Sequence, residues 1–133
     1  VTPILFCALS LAGGVGASCR FVIDGVVKDH VVTRFPGSAG RLPWATFLIN
    51  ASGSLLMGLL TGFVSTGILA PEWQQLAGVG FLGGYTTFST ASVETVDLLR
   101  HGRKMAGLVY AAGTLSVTVL AAAVGLWAGS AAV

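Results

Sequence analysis

The chain has 133 residues, 54% of them hydrophobic and only 9% charged, with a formal net charge of +2 and a mean hydropathy of +0.86. A soluble domain carries about a quarter charged residues to coat its surface, so this composition excludes a water-soluble globular protein and leaves lipid as the solvent. No basic tract invites a nucleic acid, and no nucleic-acid partner is expected.

A membrane-crossing helix takes roughly 20 mostly apolar residues. Val1 to Cys19, Leu42 to Pro71, Trp73 to Val93 and Met105 to Val133 contain no Asp, Glu, Lys or Arg. The expectation is one all-α transmembrane domain over residues 1–133, a multi-pass protein of the cell membrane. Its helices are predicted at about 3–26, 43–66, 73–100 and 104–130, the third broken near 83–87.

The first run has no Lys or Arg in Val1 to Ser10, so it reads as a retained helix rather than a cleaved signal peptide. Cys7 and Cys19 both fall within it, too far apart along one helix to bridge, and read as packing residues. Val27 to Leu42, with His30, Pro36, Gly37, Ser38 and Gly40, reads as an exposed connection. The second helix carries Asn50, with Thr46, Ser52 and Ser54 nearby. A polar side chain inside a span must find a hydrogen-bond partner or line a wet cavity.

The third run departs from ordinary helix chemistry. Gly78, Gly80, Gly83 and Gly84 precede Tyr85-Thr86-Thr87-Phe88-Ser89-Thr90, residue types that favour turns, caps or strands over helix interiors. An unwound point exposes backbone groups that lipid cannot satisfy; it is tolerated where protein or an aqueous path takes them up, and transporters hold ions at such breaks. The alternative is a continuous Gly-rich helix packed on a neighbour. In the fourth helix Tyr110, Thr114 and Thr118 recur every fourth residue and stack on one face, as a hydroxyl track or as interhelical glue. Gly58-x-x-x-Gly62 and Gly80-x-x-x-Gly84 have the small-residue spacing of close helix pairs. His30 and His101 lie in connections without a second ligand or a nucleophile, and no catalytic constellation is present, so no enzyme is expected.

Lys28, Arg34, Arg41, Arg100, Arg103 and Lys104 all fall on the side of the first and third connections. The positive-inside rule places those connections in the cytoplasm and both termini outside.

Gly83-Gly84-Tyr85-Thr86-Thr87-Phe88-Ser89-Thr90, followed by Ser92-Val93-Glu94, resembles the third-helix signature of the CrcB, or Fluc, family of fluoride channels. Gly13-Gly14-Val15-Gly16-Ala17 with Arg20 is similar to the family's first-helix motif, and Trp44 to Gly53 to its second-helix motif around the central Asn. The resemblance implies an antiparallel, dual-topology dimer that releases toxic fluoride passively through pores at the subunit interface. It implies pore roles for Asn50, Phe88, Ser89, Thr90, Tyr110, Thr114 and Thr118, with Arg20 near a vestibule and Glu94 near one pore end. It further implies a structural sodium ion (Na+) on the backbone carbonyls of Gly83 and Thr86 at the dimer centre.

One position departs from the family pattern: the second phenylalanine, expected three residues after Phe88, is Ala91. Either one Phe per pore suffices or a partner subunit supplies the other. A chain inserting in both orientations needs balanced Lys and Arg, and here the loop charges lie on one side. The expectation is therefore a heterodimer with an oppositely biased homologue, and otherwise a homodimer. Two rivals stand beside this: a proton-coupled small multidrug exporter, which needs an embedded carboxylate that the first helix lacks before Asp24, and a non-conducting partner subunit. Asp24 lies four residues after Arg20 and is expected to pair with it.

Overall fold

The computed structural model describes residues 2–34 and 42–132, apart from the Val32 side chain. Arg41, Pro36, Gly37, Ser38 and Gly40 lie outside the described residues, which contain no strand. The elements in chain order are α1 (Pro3–Arg34), α2 (Trp44–Ser65), a π-helix (Gln74–Leu82), α3 (Gly83–Tyr85), α4 (Phe88–Arg100) and α5 (Lys104–Ser130). Three helical stretches, Pro3–Val31, Trp44–Ser65 and Lys104–Ser130, are long and apolar enough to cross a membrane by themselves. The segment from Gln74 to Arg100 is also helical, in three pieces.

α1 is longer than the apolar run alone suggests. No proline intervenes before Pro36, and Lys28 Nζ donates to Asp24 Oδ2 at 2.6 Å across one helical turn. The helix therefore continues past position 26 through residues expected to form a loop. This pair also corrects the expectation for Asp24, whose partner is Lys28 rather than Arg20.

Two close helix pairs organise the domain. α1 lies against the π-helix and α3, where a Cβ on Gly16 would be driven into the Phe81 carbonyl and one on Gly84 into that of Gly13. α2 runs parallel to α5: a Cβ on Gly58 would meet the Ala122 carbonyl, and one on Gly125 the Leu55 carbonyl. In lipid no hydrophobic drive separates helix from tail, so backbone proximity at such glycines is what gains dispersion contact. The small core between the pairs consists of Ile49, Leu82 and Tyr85, with Cys19, Met57 and Phe81 packed on it. Cys19 thus serves packing, whereas Cys7 is exposed on the α1 surface.

The π-helix was not anticipated. Its wider turns carry Gly78, Gly80 and Leu82 inward against α1 and α2, and such turns are rare and concentrate at functional segments. α4 ends in a Schellman turn: Gly102 takes φ 75°, its N–H reaches the Leu99 carbonyl at 3.2 Å, and the Arg103 N–H reaches Leu98 at 2.9 Å. That tight turn delivers the chain directly into α5.

Candidate functional site

Between α3 and α4 the chain is extended for two residues, Thr86 (φ −79°, ψ 158°) and Thr87 (φ −151°, ψ 117°). Extended backbone within an apolar passage needs partners for its polar groups. Asn50, buried on α2, supplies them. Its Nδ2 donates to the Thr87 carbonyl at 2.8 Å, and its Oδ1 accepts from the Thr87 N–H at 2.8 Å. Only an amide offers a donor and an acceptor side by side in this way, and the donor-only Thr87 N–H fixes which atom is oxygen. Gly53, one turn along α2, makes the approach possible, since a Cβ there would strike the Thr86 methyl.

The Thr87 side chain then starts α4. Its Oγ1 accepts from the Thr90 N–H at 3.2 Å as an N-cap and lies 3.0 Å from Thr90 Oγ1. These two side-chain bonds have a joint consequence for the backbone. In a continuous helix the Thr87 amide would serve the Gly83 carbonyl, and the Thr90 amide that of Thr86. Both amides are spent on side chains instead, which releases the two carbonyls that the sequence resemblance singles out for a cation. Gly83 is exposed on the surface of this chain.

A cavity of about 500 Å³ adjoins this point, bordered by Asn50, Ser54, Thr86, Thr87, Phe88, Ala91, Tyr110, Thr114 and Thr118. Asn50 has a second Nδ2 proton beyond the one given to Thr87. Among the described residues the Thr114 hydroxyl is sealed from solvent next to that of Tyr110, and Thr118 spends its hydroxyl on the Thr114 carbonyl at 2.8 Å. The Phe88 ring is 87% exposed at the cavity edge. Ala91 is buried in the cavity wall at the position where the family pattern has a ring.

A second cavity, of about 360 Å³, meets the first at Thr87. Arg20, Asp24, Lys28, Thr46 and Thr90 border it. Arg20 is half-buried, and its Nε is sealed from solvent without a hydrogen-bond partner among the described residues. Thr90 thus belongs with Arg20 and not with the Asn50 cavity, and exposed Ser89 borders neither.

Glu94 sits within α4, half-buried. Its Oε1 accepts from the Thr46 hydroxyl and its Oε2 from the Tyr110 hydroxyl, each at 2.9 Å. The carboxylate therefore ties α2 to α5 at the end opposite their glycine contact, and the bonds to a charged acceptor are the strong kind. It also borders a cavity of about 450 Å³ shared with Lys28, Asp97, His101 and Arg103. Among the described residues no cluster of His, Cys, Asp or Glu is arranged to hold a metal ion.

Thr87 and Thr46 are the residues that sequence reasoning left out of the site. Thr87 had a signal: a threonine three positions before another at the start of an apolar-periodic run is an N-cap pattern. Thr46 stood out only as a polar residue within the second span, because its partner lies 48 residues away.

An apolar helical bundle whose helices are long enough to cross a membrane, with an amide clamping an extended stretch beside a cavity bordered by uncharged hydroxyls, is the kind of architecture membrane transport proteins use. Comparison with known proteins narrows the class. Residues 7–126 match the family described as CrcB-like protein, Camphor Resistance (CrcB). The chain is 41% identical over 133 residues to Fluoride-specific ion channel FluC 1 of Leifsonia xyli subsp. xyli, covering 100% of this chain and 92% of that one. It is 42% identical over 123 residues to Fluoride-specific ion channel FluC 3 of Bifidobacterium longum (92% and 93% covered). With Fluoride-specific ion channel FluC 2 of Bacillus subtilis it shares 37% over 125 residues (94% and 87% covered). The chain belongs to the CrcB family.

Proposed function

We propose that the protein is a subunit of a fluoride-selective channel that lets fluoride leave the cytoplasm passively. The observation that carries this is the uncharged lining beside the clamped break: Asn50, Thr114 and Thr118 border one cavity edged by Phe88. Fluoride holds its water tightly, so a pore must replace that water with hydrogen-bond donors while avoiding a fixed cation that would trap the ion. An aromatic edge carries partial positive charge and offers a weak, easily broken contact. Arg20 stands apart, on the second cavity, where it attracts the anion toward the Thr87 junction without lying in its path.

In this reading the interruption at Thr86–Thr87 lies at mid-membrane, and two chains pair antiparallel with their breaks facing each other. The exposed Phe88 ring and the exposed Gly83 support such a partner surface. Each chain offers the two carbonyls of Gly83 and Thr86, so a pair offers four hard oxygens, a set that suits a sodium ion. Bound there, sodium would act as a structural tie between subunits. The lopsided basic residues and Ala91 favour pairing with an oppositely biased homologue that supplies the second ring. The exporter reading loses its requirement, because Asp24 on α1 is engaged by Lys28 and Glu94 by two hydroxyls.

The test is growth of a fluoride-sensitive bacterium lacking its own exporter, with this chain expressed alone and with such a homologue. Rescue on fluoride medium is expected for the pair. Absence of rescue in both cases, with both chains present in the membrane, would overturn the proposal.

A further inference from the structure

We propose that Gln74 and Tyr85 are positioning residues, which with the π-helix between them fix the register of the broken segment on α2 and so bring the Thr87 backbone to Asn50. The proposal rests on the fluoride reading only for one flux readout, and its main readout stands without it.

The direction of each proton comes first. A hydroxyl has one proton to give. Ser52 spends its own on the Ile49 carbonyl at 3.1 Å, so the buried Tyr85 hydroxyl, 3.0 Å away, is the donor to Ser52 Oγ. Thr61 likewise gives its proton to the Met57 carbonyl at 2.8 Å, which leaves its oxygen to accept from Gln74 Nε2 at 3.1 Å. Gln74 Nε2 also lies 3.8 Å from Met57 Sδ, within reach of its other proton. At both anchors α2 turns its protons back onto its own backbone and presents lone pairs, and the broken segment supplies the donors. The Tyr85 ring finds room because Gly53 has no side chain: a Cβ there would stand 3.1 Å from Tyr85 Cδ1.

The two anchors are spaced differently on the two partners. On α2, Thr61 and Ser52 are nine residues apart, about 13.5 Å along an α-helix. Gln74 and Tyr85 are eleven residues apart, about 16.5 Å were the segment α-helical throughout. Closing bonds at i→i+5, as the Gly83 N–H does on the Gly78 carbonyl, puts more residues into each turn and shortens the rise per residue. The π-helix therefore takes up the excess, and both donors meet their acceptors with Met57 lying against Gly78 between them. Two residues beyond Tyr85 is Thr87, and two residues before Ser52 is Asn50, which takes both Thr87 backbone groups at 2.8 Å. One residue more or fewer would turn Thr87 by about 100° and move it about 1.5 Å, enough to forfeit that paired contact. α3, a single turn of three residues, is too short to hold this register by its own bonds.

The test follows amide hydrogen exchange at residues 86–91 in the full chain in detergent, with peptides from α5 as the internal reference. Tyr85→Phe keeps the ring and its stacking on Phe81. It should raise exchange at 86–91 roughly fivefold, the weight of one hydrogen bond, and leave α5 unchanged. Gln74→Leu should act in the same direction, and deletion of the exposed Val79 should keep helical content and abolish the protection. Because the anchors act through Asn50, Tyr85→Phe should add nothing at 86–91 in an Asn50→Ala background, where a residue that only stabilises the fold would add its full effect. Fluoride efflux from vesicles holding this chain and the oppositely biased homologue should fall by a similar factor in Tyr85→Phe. A parent that releases no fluoride would contradict the proposed function, while the exchange comparison still decides the register. Parent-like exchange in Tyr85→Phe, an additive effect on Asn50→Ala, or protection that survives loss of Val79 would each overturn the assignment.

Discussion

Asn50 holds Thr87 by both its backbone N–H and its carbonyl, each at 2.8 Å, although the two residues lie 37 positions apart. This one amide settles the backbone accounts of the extended stretch and frees the Gly83 carbonyl. Asn50→Ala should leave two buried polar groups unpaired, a cost of about 1–3 kcal/mol each. Asn50→Asp keeps the acceptor but, ionised, cannot donate to the Thr87 carbonyl. Both variants should abolish fluoride flux in reconstituted vesicles, and Asn50→Ala should also lower the thermal midpoint in detergent.

The Glu94 carboxylate makes a different prediction because it serves two donors at once. Glu94→Gln presents an NH₂ where one hydroxyl now donates, so either Thr46 or Tyr110 loses its acceptor. Loss of one hydrogen bond to a charged group corresponds to roughly a tenfold effect. Flux should fall by about that factor in Glu94→Gln and in Tyr110→Phe. The double variant should be little worse than either, as expected of residues sharing one interaction. Additive losses in vesicle efflux would show that the two side chains act separately.

Backbone contact at glycine should be the most sensitive part of the scaffold. Gly16→Ala and Gly125→Ala each drive a methyl into a neighbouring carbonyl, whereas a Cβ on Gly14 meets nothing within 4 Å. Overpacking costs about 1–3 kcal/mol, and rigid backbone on the far side places these two at the upper end. Their yield and thermal midpoint should drop while Gly14→Ala behaves as wild type.

Phe88 carries little of the fold, being 87% exposed in the single chain. Phe88→Ile should therefore leave expression and assembly intact and reduce flux sharply. Ala91→Phe, placed in the cavity wall beside it, should raise flux through channels made from this chain alone. Efflux rates normalised to protein in the vesicles distinguish these outcomes from loss of folding.

How far the sequence anticipates the structure depends on the range of each interaction. The four apolar runs and the two small-residue spacings at Gly58 and Gly80 are local, and the helices and their close pairs follow from them. The Asn50 amide and the Tyr110, Thr114 and Thr118 stripe announced themselves as polar groups in an apolar setting, and all four border one cavity. What local patterns could not convey was pairing at a distance. Glu94 falls within the predicted third helix, but nothing local shows that hydroxyls from α2 and α5 hold its carboxylate in the bundle. The continuation of α1 to Arg34 rests on the Asp24–Lys28 bond, which competed with an expected Arg20 partner at the same spacing. The π-helix left no mark in composition, since glycines at 78, 80, 83 and 84 suit any close approach.

The measurement that bears most directly on the central claim is anion efflux from vesicles loaded with fluoride or chloride, reconstituted with this chain together with an oppositely biased homologue and triggered by a potassium ionophore. The account predicts rapid fluoride release that needs no proton gradient, retention of chloride, and loss of the fluoride signal in Asn50→Asp. Equal release of both anions, fluoride release that requires a proton gradient, or release unaffected by Asn50→Asp would contradict it.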